Sequence, residues 1–413
     1  MKVIHLSNSN SGGAGIAAYR IHKSLIEIGL NSEMWVNVKT NIDNTVKSPA
    51  NIINKPLIFM RRNAKKPLSF FFKTKNPILH SPSFIPSSWI KKINESKADI
   101  INLHWVQHEM LSISDISKIE KPIVWTLHDM WGFCGAEHVS WDDRWKNGYN
   151  INNRPVHESG FDLNRWTWLR KIKYWKKPIQ IITPSNWLTK CVKQSKLMQN
   201  WPCETIPNTI DTKFWKQVDK NFSRRDLNLP KNDLIIAFGS FNSKQEHNKG
   251  FDLLLGALEK IKKENLIKFH LIVFGQKKSQ KKISLDIPVH DMGYLDDEKL
   301  KKLYSAVNAV VIPSRTESFG QIACEAHACE TPVISFDTSG LKDIIKHRIT
   351  GYLAKKFNTE DLSYGIEWVL ENSKIKNLGY NARKHVINNF NNKLVAEKYL
   401  EIYKRLSESL ICK

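Results

Sequence analysis

The 413-residue chain lacks most of what a small secreted or membrane-spanning protein depends on. Its six cysteines, at 134, 191, 203, 324, 329 and 412, form no Cys-x-x-Cys pair and no even spacing. That excludes a zinc ribbon or a disulfide framework and fits a reducing compartment. The N-terminus, Met1-Lys2-Val3-Ile4-His5-Leu6 and then Ser and Asn, has no apolar core of the kind a signal peptide needs, roughly 7–15 residues long. No run approaches the ~20 apolar residues of a membrane span. Heptads, internal repeats and low-complexity tracts are missing too. Acidic residues are scarce, 40 against 63 Lys and Arg for a net charge of +23, and none lies between Val46 and Asn94 beside ten basic residues there. Charge alone assigns no partner, because a Lys-, Asn- and Ile-rich chain can reflect genome composition. A nucleic-acid-binding protein would explain the charge, yet no helix-turn-helix or RNP-like signature accompanies it. There is no Asp-x-Asp triplet to hold a divalent cation on a diphosphate, so no metal is expected. A cytoplasmic protein, soluble or peripheral on the inner face of the membrane, is the expectation.

What is present is an alternation of short apolar runs with helix-periodic stretches, the pattern of an α/β protein with parallel sheets. Lys2–Leu6 reads as a buried strand, the loop around Gly12, Gly13 and Gly15 follows, and a helix then runs until Gly29. Further strands are expected at 33–38, 99–104, 122–127 and 180–183. The stretch Pro202–Trp215 loses periodicity and reads as an interdomain hinge. A second α/β series follows, with strands at 234–238, 269–274, 309–313 and 333–336, and a helical tail from Glu360 broken near Asn372 and Asn391. The architecture expected is two doubly wound domains, 1–205 and 206–390, with 391–413 a helix crossing back to the first. Ligands of such sheets bind at the carboxyl ends of the strands.

The most informative segment is Pro313-Ser-Arg-Thr-Glu317-Ser-Phe-Gly320-Gln-Ile-Ala-Cys-Glu325, placed between a strand and a helix. Glu317 falls in the loop and Glu325 on the helix, about 9–12 Å away, with the backbone N–H groups of Phe319 and Gly320 between them. That arrangement suits a nucleotide sugar, with phosphate at the helix N-terminus and a carboxylate for hydroxyls on each side. It is wide for a glycosidase pair at about 5–9.5 Å. The bland alternative makes Glu317 a cap and Glu325 part of a solvated face.

Glu317-Ser-Phe-Gly with Glu325, Ala326, Ala328, Thr331, Pro332 and Val333 resembles the Glu-x7-Glu motif of family 4 retaining glycosyltransferases of GT-B fold, two Rossmann-like domains facing each other across a cleft. The likeness extends through Gly12-Gly13-Ala14, Asn102-Leu-His104-Trp, Thr126-Leu-His128-Asp129-Met-Trp131, Pro184-Ser185, Ile206-Pro207-Asn208 and Asn248-Lys249-Gly250-Phe251-Asp252. It is nearest to bacterial enzymes that build surface polysaccharides. The resemblance implies that Glu317 contacts the donor sugar, Glu325 the ribose, Lys249 the phosphates, and that His128 sits beside the transferred sugar. It implies backbone contacts to the base near Gly293 and Tyr294. Three departures stand out: an Arg usual in the loop before Lys249 is missing, with Lys244 the candidate to replace it, and Thr209 and Glu330 replace glycines. His104 has a claim similar to that of His128, and Asp129 is placed to orient the His128 ring.

The long connection after His128 offers Trp131, His138 and Asp142 to an acceptor sugar, against the plainer reading of a packed lid. A metal reading of Cys134, His138 and His157 is weak. Arg61, Arg62, Lys65 and Lys66, with the aromatic and basic segment Arg165–Lys177, are candidates for contact with anionic lipid of the inner leaflet. The function implied is transfer of a hexosyl or N-acetylhexosaminyl group from a nucleoside-diphosphate sugar, a UDP-sugar rather than a GDP-sugar, to a growing, lipid-linked glycan. No cofactor and no nucleic acid are expected. A GT-B-like carbohydrate-binding or regulatory protein without turnover is the rival.

Overall fold

The alternating pattern folds into two parallel sheets. The computed structural model describes residues 1–48, 60–61, 63, 71–239, 247–264, 267–275, 287–373 and 375–411. By contact the chain divides into two units, Met1–Thr209 with Asn392–Lys413, and Ile210–Asn391.

The first unit has strands β1 (Lys2–Ser9), β2 (Asn31–Val38), β3 (Val46–Lys47), β5 (Ile100–Leu103), β6 (Ile123–Thr126), β8 (Gln180–Thr183) and β9 (Cys203–Thr205) in the order β3-β2-β1-β5-β6-β8-β9. A separate antiparallel pair joins β4 (Phe72–Thr74) to β7 (Glu158–Gly160). β5 and β8 are buried at every residue, which is why they read as unbroken apolar runs rather than alternating ones. Helix α1 (Gly12–Glu27) ends as its sequence requires: Gly29 takes φ +86, its N–H donates to the Ile26 carbonyl and that of Leu30 to the Leu25 carbonyl. Helices α2 (Leu163–Tyr174) and α3 (Asn186–Gln194) follow in the chain.

The second unit has β10 (Leu234–Gly239), β11 (Phe269–Phe274), β12 (Val289–Gly293), β13 (Ala309–Ile312), β14 (Val333–Phe336) and β15 (Gly351–Ala354) in the order β12-β11-β10-β13-β14-β15. Its helices of eight residues or more are α4 (Phe251–Glu264), α5 (Asp297–Ala306), α6 (Gln321–Ala328), α7 (Thr359–Asn372) and α8 (Leu378–Phe390). The final helix, α9 (Asn392–Ile411), lies in the first unit, where the Tyr403 hydroxyl accepts from Asn102 at 2.7 Å and that of Tyr399 meets Thr126 at 3.2 Å. Both doubly wound sheets agree with the sequence reading. Six strands escaped it, the short β3, β4 and β7 among them. β9 lies inside the stretch taken as hinge, β12 is an edge strand of half-buried residues including His290 and Asp291, and β15 has only four residues.

Candidate functional site

In the second unit, the loops after β10 and β13 meet. Lys249 Nζ donates to Glu317 Oε1 at 2.7 Å, and Ser314 Oγ donates to the same oxygen at 2.9 Å. The two side chains remain 27% and 19% exposed, so the pair is reachable from solvent. Four further contacts hold the loops in this register. Asn248 Nδ2 donates to the Thr316 carbonyl at 2.8 Å, the Arg315 N–H to the Asn248 carbonyl at 2.7 Å, and the Arg315 guanidinium to both Asp252 oxygens at 2.9 and 2.6 Å. The fourth is the close approach of Gly250, with φ +69, to Pro313: a Cβ there would stand 2.0 Å from the Pro313 carbonyl oxygen. Behind Glu317, its own N–H donates to Ser339 Oγ at 2.9 Å and its carbonyl accepts from the Gly340 N–H at 2.8 Å.

α6 opens immediately after this loop. Gly320 at its N-cap has φ +111 and brings no side-chain cap, and a Cβ on it would meet Leu341 at 2.6 Å. The first N–H groups of a helix have no partner within it, so an anion is favoured beside Glu317. Phe319 is buried, which leaves its backbone as the part offered to a ligand. Glu325 is 6% exposed and accepts from the Tyr304 hydroxyl at 3.2 Å, which corrects the reading of a solvated helical face. α6 ends at Glu330, φ +61, with its N–H on the His327 carbonyl and the Thr331 N–H on the Ala326 carbonyl. The place where relatives are expected to carry glycine is thus a left-handed C-cap occupied here by glutamate. Gly293 has φ +67 at the end of β12, followed by the exposed Tyr294. Lys244 lies outside the described residues.

In the first unit, Gly12 takes φ +71, and a Cβ on either Gly12 or Gly13 would meet nothing within 4 Å. The packing-critical glycine of that loop is Gly15, where a Cβ would stand 2.5 Å from the Ser9 carbonyl oxygen. His128, two residues beyond β6, lies 3.0 Å from His104 through its Nε2, and His104 lies 2.9 Å from His5. Burial pushes His128 down to about 4, and His5 and His104 well below the usual histidine range. Asp129 does not orient His128. Its carboxylate accepts from Trp105 Nε1 at 2.9 Å and from the Trp131 N–H at 2.9 Å, and faces His138 Nδ1 at 2.6 Å.

In the lid after His128, Trp131 and His138 belong to the core rather than to a sugar platform. Trp131 is fully buried and donates to the Ser81 carbonyl at 2.7 Å. Lys171, also fully buried, donates to the carbonyls of Trp131, Cys134 and Gly135 and sits 3.8 Å over the Trp131 ring. His138 is spent between Asp129 and Ser81 Oγ, and Asp142 accepts from the Arg144 N–H at 2.8 Å. Ser81, His138 and Asp129 have the outline of a nucleophilic triad, but Ser81 is 2% exposed, so the trio holds the lid. Among the described residues no cluster of His, Cys, Asp and Glu could hold a metal ion. The lipid-facing reading of Arg61 is corrected: its guanidinium donates to the carbonyls of Ile85, Pro86 and Glu109. Arg170 likewise donates to the carbonyls of Pro82 and Ser83, and Trp168 and Trp175 are buried. Arg62, Lys65 and Lys66 lie outside the described residues. No helix among the described residues is long and apolar enough to cross a membrane.

Residues 219–385, which include Lys249, Glu317 and Glu325, match the model of the family described as Glycosyl transferases group 1. An uncharacterised glycosyltransferase of Methanocaldococcus jannaschii is 28% identical over 193 residues, 45% of this chain and 49% of that protein. The Staphylococcus aureus capsular polysaccharide biosynthesis glycosyltransferase CapM is 30% identical over 101 residues, 24% of this chain and 27% of that one. The chain thus spans about half the length of the first of these relatives or less. The crystal structure of Anabaena HepE in complex with UDP-glucose superposes with a TM-score of 0.66 at 16% identity, covering 100% of both chains. The fold is that of the GT-B glycosyltransferases.

Proposed function

We propose that the chain is a glycosyltransferase that moves a hexosyl or N-acetylhexosaminyl group from a nucleoside-diphosphate sugar to a growing, lipid-linked glycan of the cell surface, with retention at the anomeric carbon. The observation that carries this reading is the Lys249–Glu317 pair, 2.7 Å apart beside an uncapped helix N-terminus. A diphosphate arriving there draws the ammonium toward phosphate, and the N–H groups at the start of α6 add donors. Glu317, still held by Ser314, is then released to accept from sugar hydroxyls. Charge growing on the leaving diphosphate is met by donors already in place, and such preorganised donors usually contribute more to catalysis than any other single effect. Glu325 and Tyr304 form the ribose side of the same site.

Retention follows if the departing phosphate oxygen takes the acceptor's proton on the face it leaves. A UDP-sugar is favoured as donor by the likeness to HepE, whose structure holds UDP-glucose, and a surface glycan by the likeness to CapM. Attachment to the inner leaflet, where a lipid-linked acceptor is presented, would rest on exposed groups such as Lys91, Lys92 and Phe71 rather than on Arg61. The test is a panel of UDP- and GDP-sugars assayed for transfer and donor hydrolysis, beside thermal protection by UDP. Protection without turnover on any donor would favour a binding protein, and neither protection nor turnover would overturn the reading.

A further inference from the structure

We infer that His104 and His5 are positioning residues that fix His128 as a neutral donor, through Nδ1–H, to a sugar oxygen at the carboxyl edge of the first unit's sheet. The assignment of the ligand rests on the function proposed above; the hydrogen-bond order does not. β1, β5 and β6 are neighbours in the sheet, and His5 on β1, His104 just after β5 and His128 just beyond β6 form one row. Successive rings lie edge to edge and nearly coplanar, with centroids 5.2 and 5.3 Å apart and planes 27° and 21° from parallel. His5 Nδ1 meets His104 Nε2, and His104 Nδ1 meets His128 Nε2.

A neutral imidazole has one N–H and one lone pair, so all three rings must point the same way. The closed end decides which. His5 Nε2 is buried and has no hydrogen-bond partner among the described residues. One order leaves an N–H stranded there and the other a bare lone pair; among buried backbone groups a stranded N–H is the rarer state, and we carry that order over to the ring. The proton of His5 therefore sits on Nδ1 and is donated to His104, which donates from its own Nδ1 to His128 Nε2. His128 is left to carry its proton on Nδ1, which makes no hydrogen bond among the described residues. Its ring is not wholly covered and lies at the carboxyl edge of the sheet, where ligands of such sheets bind. Burial keeps the row uncharged near neutral pH. His22, edge-on to His5 with centroids 5.7 Å apart, spends its nitrogens on Ser32 and Thr45 and stays outside the row. Because the row ends at the fully buried His5, it holds a proton in place and passes none on.

The experiment is a long-range proton–nitrogen correlation spectrum of the full chain labelled with 15N-histidine at pH 7.5, with His128→Gln identifying the His128 signals by their loss. A protonated Nδ1 and bare Nε2 on His128 is the result expected; the opposite tautomer, or an imidazolium, overturns the inference. In His104→Asn an amide N–H replaces the donor and the His128 tautomer is retained. In His104→Asp only acceptors remain, and the His128 proton shifts to Nε2. An unmoved Nδ1 proton in folded His104→Asp overturns the positioning role. If that variant does not fold, the wild-type tautomer and His104→Asn decide. The spectra need no sugar, so failure of the transfer assay and failure of this inference are read separately.

Discussion

Gly250→Ala tests whether the two loops must touch for the site to exist. The new Cβ would lie 2.0 Å from the Pro313 carbonyl oxygen and 2.8 Å from its carbon, both backbone atoms that no rotamer change can remove. Alanine at φ +69 costs roughly 1–2 kcal/mol by itself. Relief of the clash parts the 247–250 segment from the 313–317 loop, which strains the Asn248–Thr316 and Arg315–Asn248 hydrogen bonds, at about 1 kcal/mol each. The second unit should therefore lose roughly 2–4 kcal/mol. Lys249 moves with its segment, and losing one charge-assisted bond to phosphate, worth about 1.5–3 kcal/mol, weakens UDP binding about 10- to 150-fold. Urea unfolding and calorimetric titration with UDP on the same preparation read both quantities. Gly256→Ala serves as the control, since its Cβ meets nothing closer than the Thr359 side chain at 3.4 Å and a helical alanine is favoured over glycine. A Gly250→Ala protein with wild-type UDP affinity would refute the argument that the loop junction builds the site.

Glu317→Ala should cut transfer by at least tenfold with little change in melting temperature, because the side chain is partly exposed and its backbone bonds survive; near wild-type kcat on every donor would contradict the assignment. Activity should persist in excess EDTA, and strict dependence on added manganese or magnesium would show the phosphate site to be of another kind. Lys171→Met strips three buried carbonyls of their donor and should cost about 3–5 kcal/mol in urea unfolding; a loss under about 1 kcal/mol would mean the lid is held by its rings alone. Glu330→Gly removes a left-handed glutamate whose ion pair with Arg383 is a loose 3.9 Å, and should raise stability by about 1 kcal/mol; a destabilised variant would show that the pair matters more than the backbone.

The one-dimensional pattern determined the parallel sheets, the helix stop at Gly29 and the breaks in the helical tail, because apolar periodicity and left-handed glycines act locally. It singled out Lys249, Glu317, Glu325 and His128 because motif spacing survives in sequence. Which side chains meet was decided only by tertiary structure. Lys249 and Glu317 are 68 residues apart, and the contacts that join their loops fall to Arg315 and Gly250, both inside motifs already noticed but without a visible partner there. His104 and His128 looked like rivals for one role and turn out to be bonded to each other, since β5 and β6 pair in parallel and bring the residues beyond their carboxyl ends side by side. Basic and aromatic residues were misread for a related reason. A sequence shows that Arg61, Lys171 and Trp131 are charged or ring-bearing, but not that carbonyls left over by irregular loops need donors, and those loops took all three inward.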